Sequence, residues 1–136
     1  MTTKLLALAS RMRSSVAISW AFIDALAAAQ VSCKTVPGER HEWCVKGKAV
    51  AWERPLSKRD LAALGSAAPK GRVLAVHVED LGVREAWLQA HPGVCFVSHH
   101  FANYPAVLVD LELADEALVR ELFEETAAWL NATREN

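Results

Sequence analysis

No window of the 136 residues approaches the roughly 20 consecutive apolar positions that a membrane-spanning helix requires, so the sequence excludes an integral helical membrane protein. Cysteine is scarce. Cys33, Cys44 and Cys95 are an odd number at wide spacing with no Cys-x-x-Cys pair. They indicate neither a disulfide framework nor a zinc knuckle, and they fit a reducing cytoplasm. Glycine (6) and proline (5) are too few for a disordered or fibrous chain. No glycine-rich turn joins a strand to a helix, so the dinucleotide fingerprint and the Lys-Ser/Thr phosphate loop are both missing. Charge of neither sign prevails, since 15 Lys and Arg stand against 16 Asp and Glu, well short of the strongly basic balance of a dedicated nucleic-acid binder.

What is present is a hydrophobic fraction of 52% in a length typical of one domain, enough for a single core. Lys4 followed by Leu5–Ala9 imitates a signal peptide, but Arg11 and Arg13 cut the apolar run short. Residues 1–14 therefore read as a weakly ordered leader, 15–132 as one domain and 133–136 as a tail. The near-neutral total hides a division. Residues 34–72 hold nine Lys and Arg against four Asp and Glu, a net of +5, whereas residues 73–136 hold three against eleven, a net of −8. Such a split can give the folded protein one face that attracts anions and one that repels them.

Helical spacing runs over Ser15–Gln30, with Val16, Trp20, Ile23 and Leu26 or Ala27 on one stripe, and Ile18, Phe22, Ala25 and Ala29 beside it. Ser14 or Ser15 is the expected cap. Val36-Pro37-Gly38 marks a turn. His41–Val45 and Lys48–Glu53 read as two strands joined at Lys46-Gly47, a register that pairs Val45 with Lys48, Trp43 with Val50 and His41 with Trp52. One face of the hairpin is then aromatic, and Cys44, Ala49 and Ala51 lie on the other. Ser57 and Asp60 open a short helix that ends at Gly65. Arg72–Val78 reads as a strand buried on both faces, and Asp80 or Leu81 opens a helix ending at His91-Pro92-Gly93. Val94–Ser98 is a further strand, followed by a loop over His99–Pro105. In Ala106–Leu113, Val107, Val109, Leu111 and Leu113 face inward while Asp110 and Glu112 face water. The last helix, Asp115–Ala132, turns Val119, Leu122, Phe123, Thr126 and Leu130 inward. The order α-β-β-α-β-α-β-β-α predicts an α+β fold, a mostly antiparallel sheet with helices packed on it.

Two stretches carry a resemblance. The run from Trp43 through Val45, Gly47-Lys48 and Ala51-Trp52 to Arg54-Pro55 resembles the W-x-V-x-G-K-x-F-A-W-x-R-P hairpin of MmcQ/YjbR-like proteins. Leu74-Ala75-Val76-His77-Val78-Glu79-Asp80-Leu81-Gly82, and later His100-Phe101-Ala102-Asn103-Tyr104-Pro105-Ala106-Val107-Leu108-Val109, are similar to two further segments of that family in the same order. Ala102-Asn103 stands where the family has Asp-Gly, and Asp110 where a basic residue is common. The resemblance covers about residues 15–132. It implies a YjbR-like α+β domain, related in architecture to secretion-chaperone-like and frataxin-like folds, and it carries the label of a double-wing DNA-binding motif.

Catalytic and metal chemistry find little footing. Cys95 lies four residues before His99 with no nucleophile elbow around it, and an enzyme would need His41, His100 or Cys95 to meet a second polar group in a pocket. His99 and His100 are adjacent and point apart on an extended chain, so they do not share a zinc ion. No catalytic residue, metal or cofactor is assigned. The reading is a non-enzymatic binding module, cytoplasmic, monomeric or homodimeric and without a membrane partner. DNA or another polyanion is the expected ligand, bound by Arg40, Lys46, Lys48, Arg54, Lys58 and Arg59 around the hairpin. The alternative is a protein partner or small ligand at His41, Trp43, Trp52, His100, Phe101 and Tyr104.

Overall fold

Each of the four helices among the described residues starts behind a side chain that accepts a hydrogen bond from its first turn, which satisfies a backbone N–H left without a helical partner. The computed structural model describes residues 17–133. Within them α1 spans Trp20–Ala28 behind Ser19, α2 Lys58–Leu64 behind Ser57, α3 Leu81–Ala90 behind Asp80, and α4 Glu116–Ala132 behind Asp115. At α2 the cap is reciprocal: Ser57 Oγ accepts from the Asp60 N–H at 3.0 Å, and Asp60 Oδ2 accepts from the Ser57 N–H at 3.1 Å.

The first helix is shorter than its apolar spacing predicts. It begins at Trp20 because Ile18 is already committed to the sheet end, its N–H donating to the Leu111 carbonyl at 3.0 Å and its carbonyl accepting from Arg72 Nη1 at 3.2 Å. Ala25 and Ala29, expected inside, are exposed. Ser14, Ser15, Val16, the leader over 1–14 and residues 134–136 lie outside the described residues.

Among the described residues six strands form one antiparallel sheet: β1 Cys33–Thr35, β2 Glu42–Val45, β3 Lys48–Glu53, β4 Val73–His77, β5 Cys95–Phe96 and β6 Ala106–Asp110, in the order β1-β2-β3-β4-β6-β5. The architecture is α+β, as the pattern of elements predicts. β1 is an addition to it.

Alternation divides the core into two layers. Leu74 and Val76 of β4 and Val107 and Val109 of β6 pack with α1, α3 and α4 on one face. Val73, Ala75, Ala106 and Leu108 pack on the other, with Trp52, Leu56 and the short turn at His99–Phe101, beside α2. Each large apolar side chain fully buried in either layer contributes roughly 1.5–3 kcal/mol. β6 departs from its predicted wet face. Asp110 is buried and Leu113 is 60% exposed, because the chain turns just after Asp110, whose carbonyl accepts from the N–H groups of Leu113 and Ala114 while its carboxylate accepts from that of Glu112.

A groove on the uncovered face of the hairpin

Lys46 and Gly47 have φ of 54° and 80°, so both central residues of the turn are left-handed, the backbone that matches the twist of the flanking strands. Val45 therefore pairs with Lys48 as expected, but the register then shifts. Trp43 pairs with Ala51 and Glu42 with Trp52, so Val50 is an extra residue that bulges β3. The bulge has one large consequence. Trp43 and Trp52, predicted to share an aromatic face, lie on opposite sides of the sheet.

Trp43 is fully buried in the helix-side layer, where its indole N–H donates to Asp24 Oδ1 at 2.9 Å and its ring meets Phe123 edge-on at 6.4 Å. It is a core residue and no contact for a partner. Ala51 is buried on that side too, whereas Cys44 and Ala49 lie on the opposite face.

Among the described residues nothing covers that second face over β1, β2 and β3, and there Arg40, Glu42, Ala49, Trp52 and Tyr104 line an open groove of about 360 Å³, bordered by His41 and Glu53. Glu42 and Trp52 are direct cross-strand partners, so their side chains rise side by side. Tyr104 is 44% exposed and closes one flank, stacking on His77 at 5.8 Å. The groove floor is the small Ala49. His41 turns its ring back to the helix layer, stacking on Trp20 at 4.9 Å and on Trp43 at 6.1 Å, while its N–H donates to Glu53 Oε1 at 3.1 Å. Of the predicted residues the fold thus brings together Arg40, Trp52 and Tyr104, with the backbone of His41 at the edge.

The other predicted cations are distributed differently. Lys46 and Lys48 sit at the hairpin tip and Arg40 and Arg54 at its base, roughly 20 Å away along a six-residue strand. Lys46 is engaged, its Nζ donating to the Asn131 carbonyl at the end of α4. Arg54 is engaged as well: it bonds the Pro55 carbonyl at 2.7 Å, pairs with Asp60 at 3.6 Å and lies 5.3 Å over the Phe101 ring. Burial works against the Asp60 carboxylate, but the Ser57 N–H and hydroxyl, then Arg54 and His100, outweigh it and hold its pKa below the usual value. Arg40, Lys48, Lys58 and Arg59 are exposed. Lys34 lies on the groove face, since it pairs with Cys44 across β1 and β2, whereas Lys48 pairs with Val45 and so lies on the opposite one.

The motif loop follows a similar division. Phe101 is buried in the second layer against Trp52, and His100 is exposed with its ring edge-on to Phe101 at 5.2 Å. Neither enters the groove. The loop is held by a residue that no local signal singles out. Arg84 of α3, 7% exposed, donates through Nη1 to the carbonyls of Phe101 at 2.9 Å and of Ala102 and Tyr104 at 3.2 Å. Its helix position looks like any solvated arginine, and only the tertiary approach of the loop gives it these partners. His41, His100 and Cys95 stand in three separate places, and among the described residues no three His, Cys, Asp or Glu side chains are grouped to hold a metal. Among the same residues no helix is long and apolar enough to cross a membrane.

The chain is 49% identical over 93 residues to the uncharacterised proteins Mb2600 of Mycobacterium bovis, MT2646 of Mycobacterium tuberculosis strain CDC 1551 and Rv2570 of strain H37Rv, a stretch covering 66% of this chain and 70% of each of theirs. No family model matches the chain. No solved structure matches it either.

Proposed function

We propose that this chain, which belongs to the family of these mycobacterial proteins, is a non-enzymatic cytoplasmic binding module of MmcQ/YjbR-like type that takes DNA or another polyanion on the uncovered face of its β1–β3 wing. The observation that carries the reading is the groove in which Trp52 and Tyr104 stand beside Arg40. Aromatic faces stack on exposed bases at about 1–3 kcal/mol each, and cations beside them meet the phosphates. The sheet order supports it, because β1, β2 and β3 are neighbours in space as in sequence and keep the basic third of the chain together. The acidic surface of α4, with Glu116, Glu121, Glu124 and Glu125 exposed, belongs to the opposite layer. Arg40, Lys34, Lys58 and Arg59 are the cations available to a ligand approaching from the groove side, and Arg54 and Lys46 serve the fold.

Fluorescence anisotropy of labelled single-stranded and duplex DNA, titrated at low and moderate salt, tests the proposal. Binding that weakens with salt and is lost in Trp52→Ala and Arg40→Glu is expected. Absence of binding at low salt overturns it. A small aromatic ligand is the second reading, favoured by a groove volume within the range of small-molecule sites. Full displacement of bound DNA by a free nucleoside, with no salt dependence, would select it.

A further inference from the structure

We infer that the groove reads a guanine base of a single-stranded nucleic acid through Glu42, an inference that rests on the polyanion reading above. A carboxylate in an anion-binding groove is unfavourable unless the ligand presents donors to it. Among the described residues Glu42 is the only acidic side chain that the strand register places on the groove face, since it pairs directly with Trp52, and its carboxylate makes no hydrogen bond or ion pair with any of them. The other carboxylate at the edge, Glu53, already accepts from the His41 N–H.

The geometry is that of a slot with a reader. Trp52 offers a stacking face, Tyr104 a flank, and Ala49 leaves the floor empty where a larger side chain would fill it. Two residues before Glu42, Arg40 lines the same groove and supplies a cation for a neighbouring phosphate. A base stacked on Trp52 lies beside Glu42, the direct cross-strand partner on the same face, and can turn its Watson–Crick edge to that carboxylate. An ionised carboxylate has two acceptor oxygens and no donor. Guanine presents two adjacent donors on that edge, N1–H and the N2 amino group, and satisfies both oxygens. Adenine and cytosine set one amino donor beside a ring-nitrogen acceptor, and thymine or uracil flanks its one N–H with two carbonyls, so each of these brings an acceptor against the carboxylate. Duplex DNA hides the edge altogether, which directs the site to unpaired strands.

The experiment compares thymine dodecamers carrying a single central guanine, adenine or cytosine with the unsubstituted oligomer, by competition anisotropy on the full chain. Guanine at the centre is expected to tighten binding about tenfold or more, the worth of one good bidentate base contact. Glu42→Gln should abolish that preference and tighten the thymine oligomer, whose carbonyls and phosphates then no longer face a carboxylate. Ala49→Phe, which fills the floor of the groove, should weaken the guanine oligomer most. Equal affinity for all four oligomers, or a guanine preference that survives in Glu42→Gln, overturns the inference and leaves the polyanion reading standing. No binding of any oligomer overturns both.

Discussion

The Lys46 ammonium donates a hydrogen bond of 2.9 Å to the Asn131 carbonyl, 85 residues later, and so ties the hairpin tip to the last turn of α4. A cation is favoured there, at the negative end of the helix dipole. Lys46→Glu is expected to lower stability by roughly 0.5–1 kcal/mol, since it removes the bond and sets a like charge against the helix end. A fall in the urea midpoint at unchanged slope would show it. Lys46→Met should leave DNA affinity unaltered. A marked loss of affinity in that variant would place the ligand at the tip and not in the groove.

His77 gives the fold a response to mild acid. Burial, the larger cause, lowers its pKa below 6.5 and the nearby Lys48 charge lowers it further, against a hydrogen bond with the Ala49 backbone that raises it; its ring is enclosed by Tyr104 at 5.8 Å and Trp129 at 5.2 Å. The unfolded chain therefore takes up this proton at a higher pH than the folded one. The stability that His77 contributes is complete above pH 6.5 and declines as pH falls from there through the folded value. Melting temperatures recorded from about pH 7.5 to 5.5 should fall more steeply for the native protein than for His77→Phe. Parallel curves would contradict the assignment.

Arg84 is expected to be the costliest polar position. Its guanidinium serves three carbonyls of the loop that carries Tyr104. Arg84→Met leaves those carbonyls unpaired and should cost about 2–4 kcal/mol. Chemical denaturation measures the cost. Because Tyr104 flanks the groove, the same variant should lower oligonucleotide affinity even at temperatures where it is fully folded.

Two of the three thiols should be inert in the native state. Burial pushes Cys95 up to about 12, and burial with the neighbouring Cys44 charge, partly offset by the Lys34 backbone, pushes Cys33 up to about 11. Thiolate is the reacting form, so both are protonated at neutral pH. A chromogenic disulfide reagent should modify Cys33 and Cys95 slowly in buffer and all three cysteines promptly in denaturant. Rapid native modification of Cys95 would require opening of the helix-side layer.

Much of this architecture is written in local signals. α4 carries its apolar stripe at 3.6-residue spacing with Asp115 ahead of it, and Val119, Leu122, Phe123, Thr126 and Leu130 are all buried as that stripe requires. Ser57 and Asp60 declare their cap within four residues. The features that escaped are those set by distant partners. β1 is three residues long, too short to show alternation, and exists because Cys33–Thr35 finds β2. The bulge at Val50 shows only in the pairing of β3 with β2, and it puts Trp43 in the core and Trp52 in the groove. Half of the aromatic site was therefore legible. Glu42, the residue on which specificity is here placed, was not, since a lone glutamate at a strand start means nothing until its cross-strand partner is known.

Four strands, β1 to β4, follow one another across the sheet in the order in which they are linked, whereas β6 takes the place beside β4 and leaves β5 at the far edge. Closing a loop costs entropy that grows with its length, and contacts between sequence neighbours are the cheapest to make. The wing is thus the part of the sheet with the smallest entropic debt to distant chain, and the opposite edge waits for α3 and β6 to be in place. The groove-bearing half is built from what lies nearest at hand along the polypeptide. Its distant partners are α4, which returns from the far end of the chain to bury Trp43 and to meet Lys46, and the loop that brings Phe101 and Tyr104 beside Trp52.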